Sequence, residues 1–490
     1  MNKKVDVYKG FIFVFTMFCL CAFYGMFYYS NNMSQDSLSF LKVFLSWCGI
    51  IELIYIFISW YRFKKSIFSL YLLFMLFFFV FNYGQCFIWA IGMHAENEIG
   101  SISLFYRLGV PSTLEIVKTQ LIVLISGLMI HLGAVISSKN KSSKILPESE
   151  EYETKNITNE KNKKNLFHVS MFLYPFVVFS EFYFQINNII NSRKFGYTGL
   201  YYNANVQNVN VIFQIAARLF FPVMIGMLLS SNFNSKVRKI AYSTFAIDVV
   251  LSILVGDRGG WIYALIILII CHYKYYKKPN FRQLFTVGFV GYFFMAILIT
   301  IKRIRNAGVT LAGFLGTFSN AFASPFTETL TEMGGTMGIT TALVMKGWNI
   351  FPYGNTFLYG TLIAPSKRLI SILNLNYESL SSWFSQSYLR ISNGAAFSIV
   401  GEVLINYGPF LLPFIMIIFG VIVNFITNID DYDYNLNVVG IFFKIITTSV
   451  FINISRNCYS YNLGEILYTT VLFYVLYSCY SMLRNNKKLL

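Results

Sequence analysis

Apolar runs of membrane-spanning length recur along almost the whole chain, and that repetition leaves few folds open. They fall at roughly 10–29, 38–61, 66–92, 114–136, 166–190, 209–231, 240–256, 261–273, 284–301, 409–428, 438–455 and 463–483, where a helical crossing takes about 20 residues. Inside hydrocarbon the backbone must bond within its own segment, so such runs become helices. About twelve transmembrane helices are expected, the 261–273 run being short and leaning on a Tyr-rich flank. Composition agrees: 12% of residues are charged, against about 25% in soluble domains. The expectation is an all-α polytopic membrane protein. The first run lacks a small-residue cleavage site and reads as a transmembrane helix rather than a signal peptide. The seven cysteines lie almost entirely in apolar runs at no metal-ligand spacing, so they read as small apolar side chains.

One stretch breaks the pattern. Between Gly313 and Arg390 no apolar run is long enough to cross a bilayer. The chain therefore divides into N-terminal transmembrane helices over 1–301 (about nine), a large loop over 302–408, and about three C-terminal helices over 409–490. The Lys/Glu/Asn-rich 137–165 segment has no apolar period and reads as a flexible cytoplasmic linker.

Lys and Arg in the loops set the orientation. With the N-terminus cytoplasmic, inside segments hold about 23 basic residues and outside segments about 12. Both termini are then cytoplasmic and the 302–408 loop is extracytoplasmic. The net charge of +17 is thus a topological signal and does not point to nucleic acid. The acidic segment Asp430-Asp431-Tyr432-Asp433 falls inside, against the trend, although acidic residues count little in this rule.

The outside cations are mostly Arg: Arg107, Arg193, Arg258, Arg303, Arg305, Arg368, Arg390 and Arg456. The inside ones are mostly Lys. A planar guanidinium binds phosphate or carboxylate through two parallel hydrogen bonds and keeps its charge when partly buried. Arg258 stands in the turn Gly256-Asp257-Arg258-Gly259-Gly260, whose glycines permit positive φ and close backbone approach. Arg303, Arg305 and Arg456 each follow an apolar run directly, so three chain segments deliver Arg to the outer interface. A diphosphate suits that arrangement, each charge-assisted bond contributing about 1.5–3 kcal/mol. Candidate general bases outside are Glu96, Glu98, Asp257, Glu328, Glu332, Glu378 and Glu402. Glu332 precedes Gly334-Gly335, and Glu402 lies in an apolar stretch beside Gly401. On the outer face no Asp-x-Asp or His/Cys cluster suggests a metal. Tyr353, Tyr359, Trp348 and Trp383 could stack on sugar rings or anchor at the interface.

With these residues in place, the chain resembles the bacterial O-antigen (oligosaccharide repeat-unit) polymerases of the Wzy type. The likeness rests on the Gly-x-Arg-Gly turn at 256–259, Glu332-Met333-Gly334-Gly335-Thr336, Pro352-Tyr353-Gly354-Asn355-Thr356-Phe357-Leu358-Tyr359-Gly360, and Gly401-Glu402-x4-Tyr407-Gly408. The resemblance implies a GT-C-like helical fold in the bacterial plasma membrane. It implies that undecaprenyl-diphosphate-linked glycans meet at the outer face, and that the growing chain passes to the non-reducing end of the incoming repeat unit. The product would be a surface polysaccharide, O-antigen or capsule. The lipid diphosphate is the leaving group, so no cofactor, nucleotide sugar or metal is expected. Arg258, Arg303, Arg305 and Arg456 would bind the diphosphate, with Arg390, Tyr353 and Asn355 also facing diphosphate or glycan. Glu332 or Glu402 would take the acceptor proton. A chain-length regulator and a flippase of the same pathway are the expected partners, besides the bilayer.

Two other readings remain open. An O-antigen ligase would share the topology, but a His is expected in its large loop and residues 302–408 contain none. A lipid-linked oligosaccharide flippase or other transporter would carry charges mid-membrane in several spans and show matching halves. Here the intramembrane charges are Lys42, Glu52, Lys118, Glu181, Arg218, Asp248 and Lys444, and no internal repeat is evident.

Overall fold

A computed structural model describes residues 2–138, 149–202, 210–257, 259–304, 310–366, 368–391, 395 and 397–486. The helices, in chain order, are α1 (Asn2–Tyr29), α2 (Gln35–Lys64), α3 (Leu70–Ala90), α4 (Thr113–Ser137), α5 (Ser149–Tyr202), α6 (Val211–Ala217), α7 (Phe220–Ser230), α8 (Ser235–Val255), α9 (Gly260–Cys271), α10 (Phe281–Ile304), α11 (Leu311–Ala323), α12 (Pro325–Gly334), α13 (Met337–Lys346), α14 (Thr356–Ile363), the short α15 (Leu369–Ile372) and α16 (Leu380–Ser382), α17 (Ile399–Thr427), α18 (Val438–Phe451), α19 (Tyr459–Ile466) and α20 (Leu472–Asn486). No strand occurs among the described residues, and the protein is an all-α polytopic membrane protein.

Ten described helical segments are long and apolar enough to cross a membrane. They match ten of the expected runs. Of the other two, α8 carries Lys236, Arg238, Lys239 and Asp248 and is not among the ten, and Gly260–Tyr276 is apolar but shorter. Between Ile304 and Ile399 every described helix is short, the longest being α11 with 13 residues. In α17 the backbone breaks at Gly408 (φ 68°), followed by Pro409, so the expected 409–428 span is the part after the kink.

The chain forms two compact units. The first comprises Met1–Ile145, Thr327–Asp431 and Phe451–Gly464. Its core is α3 and α4, whose apolar windows are 83% and 94% buried, while α1 and α2 keep most of theirs open. Phe18, Phe40 and Phe425 are over 70% exposed, as lipid-facing side chains would be. Small residues let helices close up: a side chain at Gly133 of α4 would strike the Ile417 carbonyl of α17, and one at Gly420 the Ile130 carbonyl of α4. Helix ends are tied by polar bonds. Lys9 Nζ donates to Ser138 O (2.8 Å), and Lys64 pairs with Asp431. At the opposite end Gln35 Nε2 donates to Thr113 Oγ1 (2.8 Å) and Lys118 Nζ to Asn31 Oδ1 (2.6 Å). The Lys64–Asp431 pair gives the out-of-pattern acidic segment its physical reason, since Lys64 is fully buried and needs a carboxylate.

The second unit comprises Leu146–Phe326, Tyr432–Val450 and Glu465–Leu490. Here the linker expectation is corrected where the residues are described: 149–165 are the opening turns of α5 rather than a flexible coil. Their buried face is polar, which an apolar period cannot reveal. Asn159, 3% exposed, donates to Asn435 O (2.8 Å) and accepts from Val438 N (2.9 Å), so it caps α18. Arg218 pairs with Glu465 at 3.2 Å. The Glu181 and Asp248 carboxyl groups lie close to each other.

Candidate functional site

The polar chemistry of the first unit gathers where α3 ends and α2 and α4 begin. There α12 crosses α3 through a pair of glycines. A side chain at Gly84 would stand 2.8 Å from Leu330 O, and one at Gly334 would meet Gln85 N. Gln85 fastens the crossing, donating to Thr331 O (2.8 Å) and accepting from Ile99 N (2.9 Å). The Glu-Met-Gly-Gly motif is thus a close-approach motif, and it holds Glu332, half-buried, two residues before Gly334 at the crossing. One turn before Gln85 on α3, Phe81 carries the Arg456 guanidinium 5.2 Å from its ring centroid. Asn82 Nδ2 donates to Ser455 O (3.0 Å), fixing the turn that presents Arg456.

The other two motifs of this unit meet each other. Asn355 caps α14, accepting from Phe357 N (3.0 Å) and Leu358 N (3.1 Å), and donates to the Tyr407 hydroxyl (3.2 Å). Thr356 Oγ1 donates to Glu402 Oε1 (2.7 Å) and accepts from Asn406 Nδ2 (2.8 Å), while Asn406 Oδ1 accepts from Thr356 N (2.9 Å). Glu402 Oε2 accepts from Tyr459 N (2.6 Å). Glu402 is 1% exposed, and both its oxygens are engaged within the protein. Gly360 lets α14 lie against α19, where an added Cβ would be 3.1 Å from Ser460 Cβ. Gly408, at positive φ, faces the Trp348 indole. The carboxylate therefore binds the strand of chain just beyond Arg456 to both sequence motifs.

An aromatic wall adjoins this network. Tyr359 stacks on Tyr377 (centroids 4.9 Å apart), Tyr353 and Phe351 meet Tyr377 edge-on, and Phe351 meets Trp383 (5.0 Å). Tyr353 is half-buried and Trp383 fully buried, so Trp383 packs inside the wall. Burial pushes the Tyr377 phenol well above its ordinary range, with Glu402 and Cys458 adding to the shift, so it stays a proton donor.

The remaining expected residues fall as follows. Arg390 is exposed at positive φ (53°) in the first unit. Arg303 is exposed on the last turn of α10 in the second unit. Arg258 and Arg305 lie outside the described residues. Around Arg258, Gly256 adopts φ 90° to end α8, and Asp257 Oδ1 accepts from Gly259 N (3.2 Å). Among the other acids, Glu98 accepts from Trp89 Nε1 (2.8 Å) and Glu378 from Ser387 Oγ (2.6 Å). Sequence reasoning gave no site role to Gln85, Thr356, Asn406 or Lys42, whose ammonium sits 3.9 Å from the Trp89 ring centroid. The signal for Gln85 and Lys42 was a polar side chain within an apolar run.

Apolar spans, with glycine-braced short helices and a network of buried polar bonds at one end of the first unit, define an integral membrane protein. A family model described as O-antigen polysaccharide polymerase Wzy matches residues 8–488, nearly the whole chain. The chain belongs to that family. It is accordingly an O-antigen repeat-unit polymerase, a glycosyltransferase-type enzyme of the membrane that acts on lipid-linked glycans. No curated protein and no solved structure matches it.

Proposed function

We propose that this protein joins undecaprenyl-diphosphate-linked repeat units at the outer face of the plasma membrane, with both termini cytoplasmic. The acceptor hydroxyl oxygen attacks the anomeric carbon of the growing chain. The bond from that carbon to the diphosphate breaks, its electron pair leaves with the diphosphate, and the acceptor proton passes to a carboxylate. Arg456, Arg303, Arg258 and Arg305 are the cations for the departing charge, the role that usually contributes most. Arg390, Tyr353 and Asn355 belong to the same loop and line the glycan side. Glu332 is the base, since Glu402 already spends both oxygens on Thr356 and Tyr459.

The observation that carries this reading is where the 327–408 segment packs. In the first unit it joins the bundle at the end away from Lys9, Arg62, Lys64 and Lys65, the basic end that the positive-inside rule assigns to the cytoplasm.

The test uses a deletion strain carrying wild type, Arg258→Ala or Glu332→Gln, with surface polysaccharide resolved by length. Wild type restores the ladder, and the equally expressed variants leave lipid-core capped by a single repeat unit. If the deletion also removes the single-unit product, export or ligation has failed and the assignment falls.

A further inference from the structure

Midway along α1, α2 and α4, the first unit encloses polar groups that glycosyl transfer does not use. Glu52 of α2 is 6% exposed, and neither of its carboxylate oxygens has a hydrogen-bond partner among the described residues. The Thr16 hydroxyl of α1, fully buried, and the Tyr55 hydroxyl of α2 have no partner among the described residues other than each other. These two hydroxyls face each other, and Glu52 lies within electrostatic reach of Tyr55. From α4, Gly127 supplies the space: a methyl group there would stand 2.5 Å from Glu52 Oε1.

Among the described residues, no group facing the carboxylate brings a fixed positive charge. Cys19 of α1, Cys48 of α2 and Tyr83 of α3 face it, and Tyr83 donates to Leu45 O (2.8 Å). One turn along α4, His131 is occupied by the Ser59 hydroxyl (2.7 Å) and the Tyr71 hydroxyl (2.9 Å). A bare carboxylate at this depth is strongly disfavoured, so a positive charge accompanies it. A single carboxylate is neutralised by a single charge, and a divalent ion would leave one charge buried. Two carboxylate and two hydroxyl oxygens are the hard donors that a small cation takes.

We propose that Glu52, Thr16 and Tyr55 form a buried monovalent-cation site, which holds a proton or a sodium ion on the Glu52 carboxylate. The site is separate from the polymerisation chemistry and would link the packing of α1, α2 and α4 to the cation it holds.

The experiment labels full-length protein in detergent with dicyclohexylcarbodiimide, which adds a protonated carboxyl group across a C=N bond in apolar surroundings. Modified peptides are mapped by mass. Labelling at Glu52 that falls as pH rises, and is absent from Glu52→Gln, supports the site. A several-fold slowing by sodium chloride, but not by choline chloride at equal ionic strength, assigns sodium. Decline with pH alone assigns the proton. The thermal midpoint of the wild type should move with the same cation, and that of Glu52→Gln should not. Wild-type protein unlabelled at Glu52 at every pH, with a midpoint as insensitive to pH and sodium as that of the variant, overturns the proposal. The wild-type labelling stands even if the variant is not recovered.

Discussion

The assignment of Glu402 as an anchor rather than the base predicts opposite outcomes for two substitutions at one position. Glu402→Ala removes the acceptor for Tyr459 N and for Thr356 Oγ1 and leaves a cavity in a site that is 1% exposed. Each buried group left unsatisfied costs about 1–3 kcal/mol, and the lost packing adds to that, so the variant should be destabilised by about 3–5 kcal/mol. Glu402→Gln has a different ledger. Its amide oxygen can still accept from Tyr459 N. Its amide N–H2 can donate to Thr356 Oγ1, whose hydroxyl hydrogen then turns elsewhere. Both bonds survive without charge assistance, a loss of about 1–1.5 kcal/mol. The assays are the thermal midpoint of purified protein and the polysaccharide length ladder in a deletion strain. Glu402→Gln should fold and still polymerise, while Glu402→Ala loses midpoint and ladder together. A stable Glu402→Gln with no ladder, beside an active Glu332→Gln, would refute the reasoning and return the base to Glu402.

Other substitutions test the packing that holds the site. Gly334→Val drives a branched side chain into the α3 backbone at Gln85; the overpacking should cost at least about 1–3 kcal/mol and appear as lost yield and ladder, with Gly316→Val, whose added Cβ meets nothing, as control. Arg456→Lys keeps the charge but loses the guanidinium that lies over the Phe81 ring, so polymer length should fall at normal expression, whereas Arg456→Ala should abolish the ladder. Asp431→Asn removes the carboxylate paired with the fully buried Lys64 and leaves Asp430 as the nearby acid, so it should destabilise by up to about 3–5 kcal/mol, read as a lower thermal midpoint that Lys64→Met/Asp431→Asn recovers in part.

What the sequence made legible follows from how each feature is encoded. The spans were readable because lipid imposes one rule on every residue of a run, and ten of them stand where apolar length put them. The segment at 149–165 was not, because its buried face uses Asn159 and Lys163 instead of Leu or Val: Asn159 is satisfied by residues 435 and 438, far along the chain, and Lys163, paired with Glu160, lies over the ring of Tyr434. A polar face looks like a solvated one until its partner is known.

The motifs behave in the same way. Gly334, Gly360 and Gly408 could be marked as places of close approach or unusual backbone, and they are. What they approach lies outside any local window: Gln85 is about 250 positions from Gly334 in a chain of 490 residues. Glu402 shows the cost of that limit. An acid in an apolar stretch suits either a tuned base or a buried anchor, and the two differ only in whether donors stand within 3 Å of its oxygens. Tyr459 supplies one of those donors through its backbone N–H, a group every non-proline residue carries, so no side-chain pattern could have announced it.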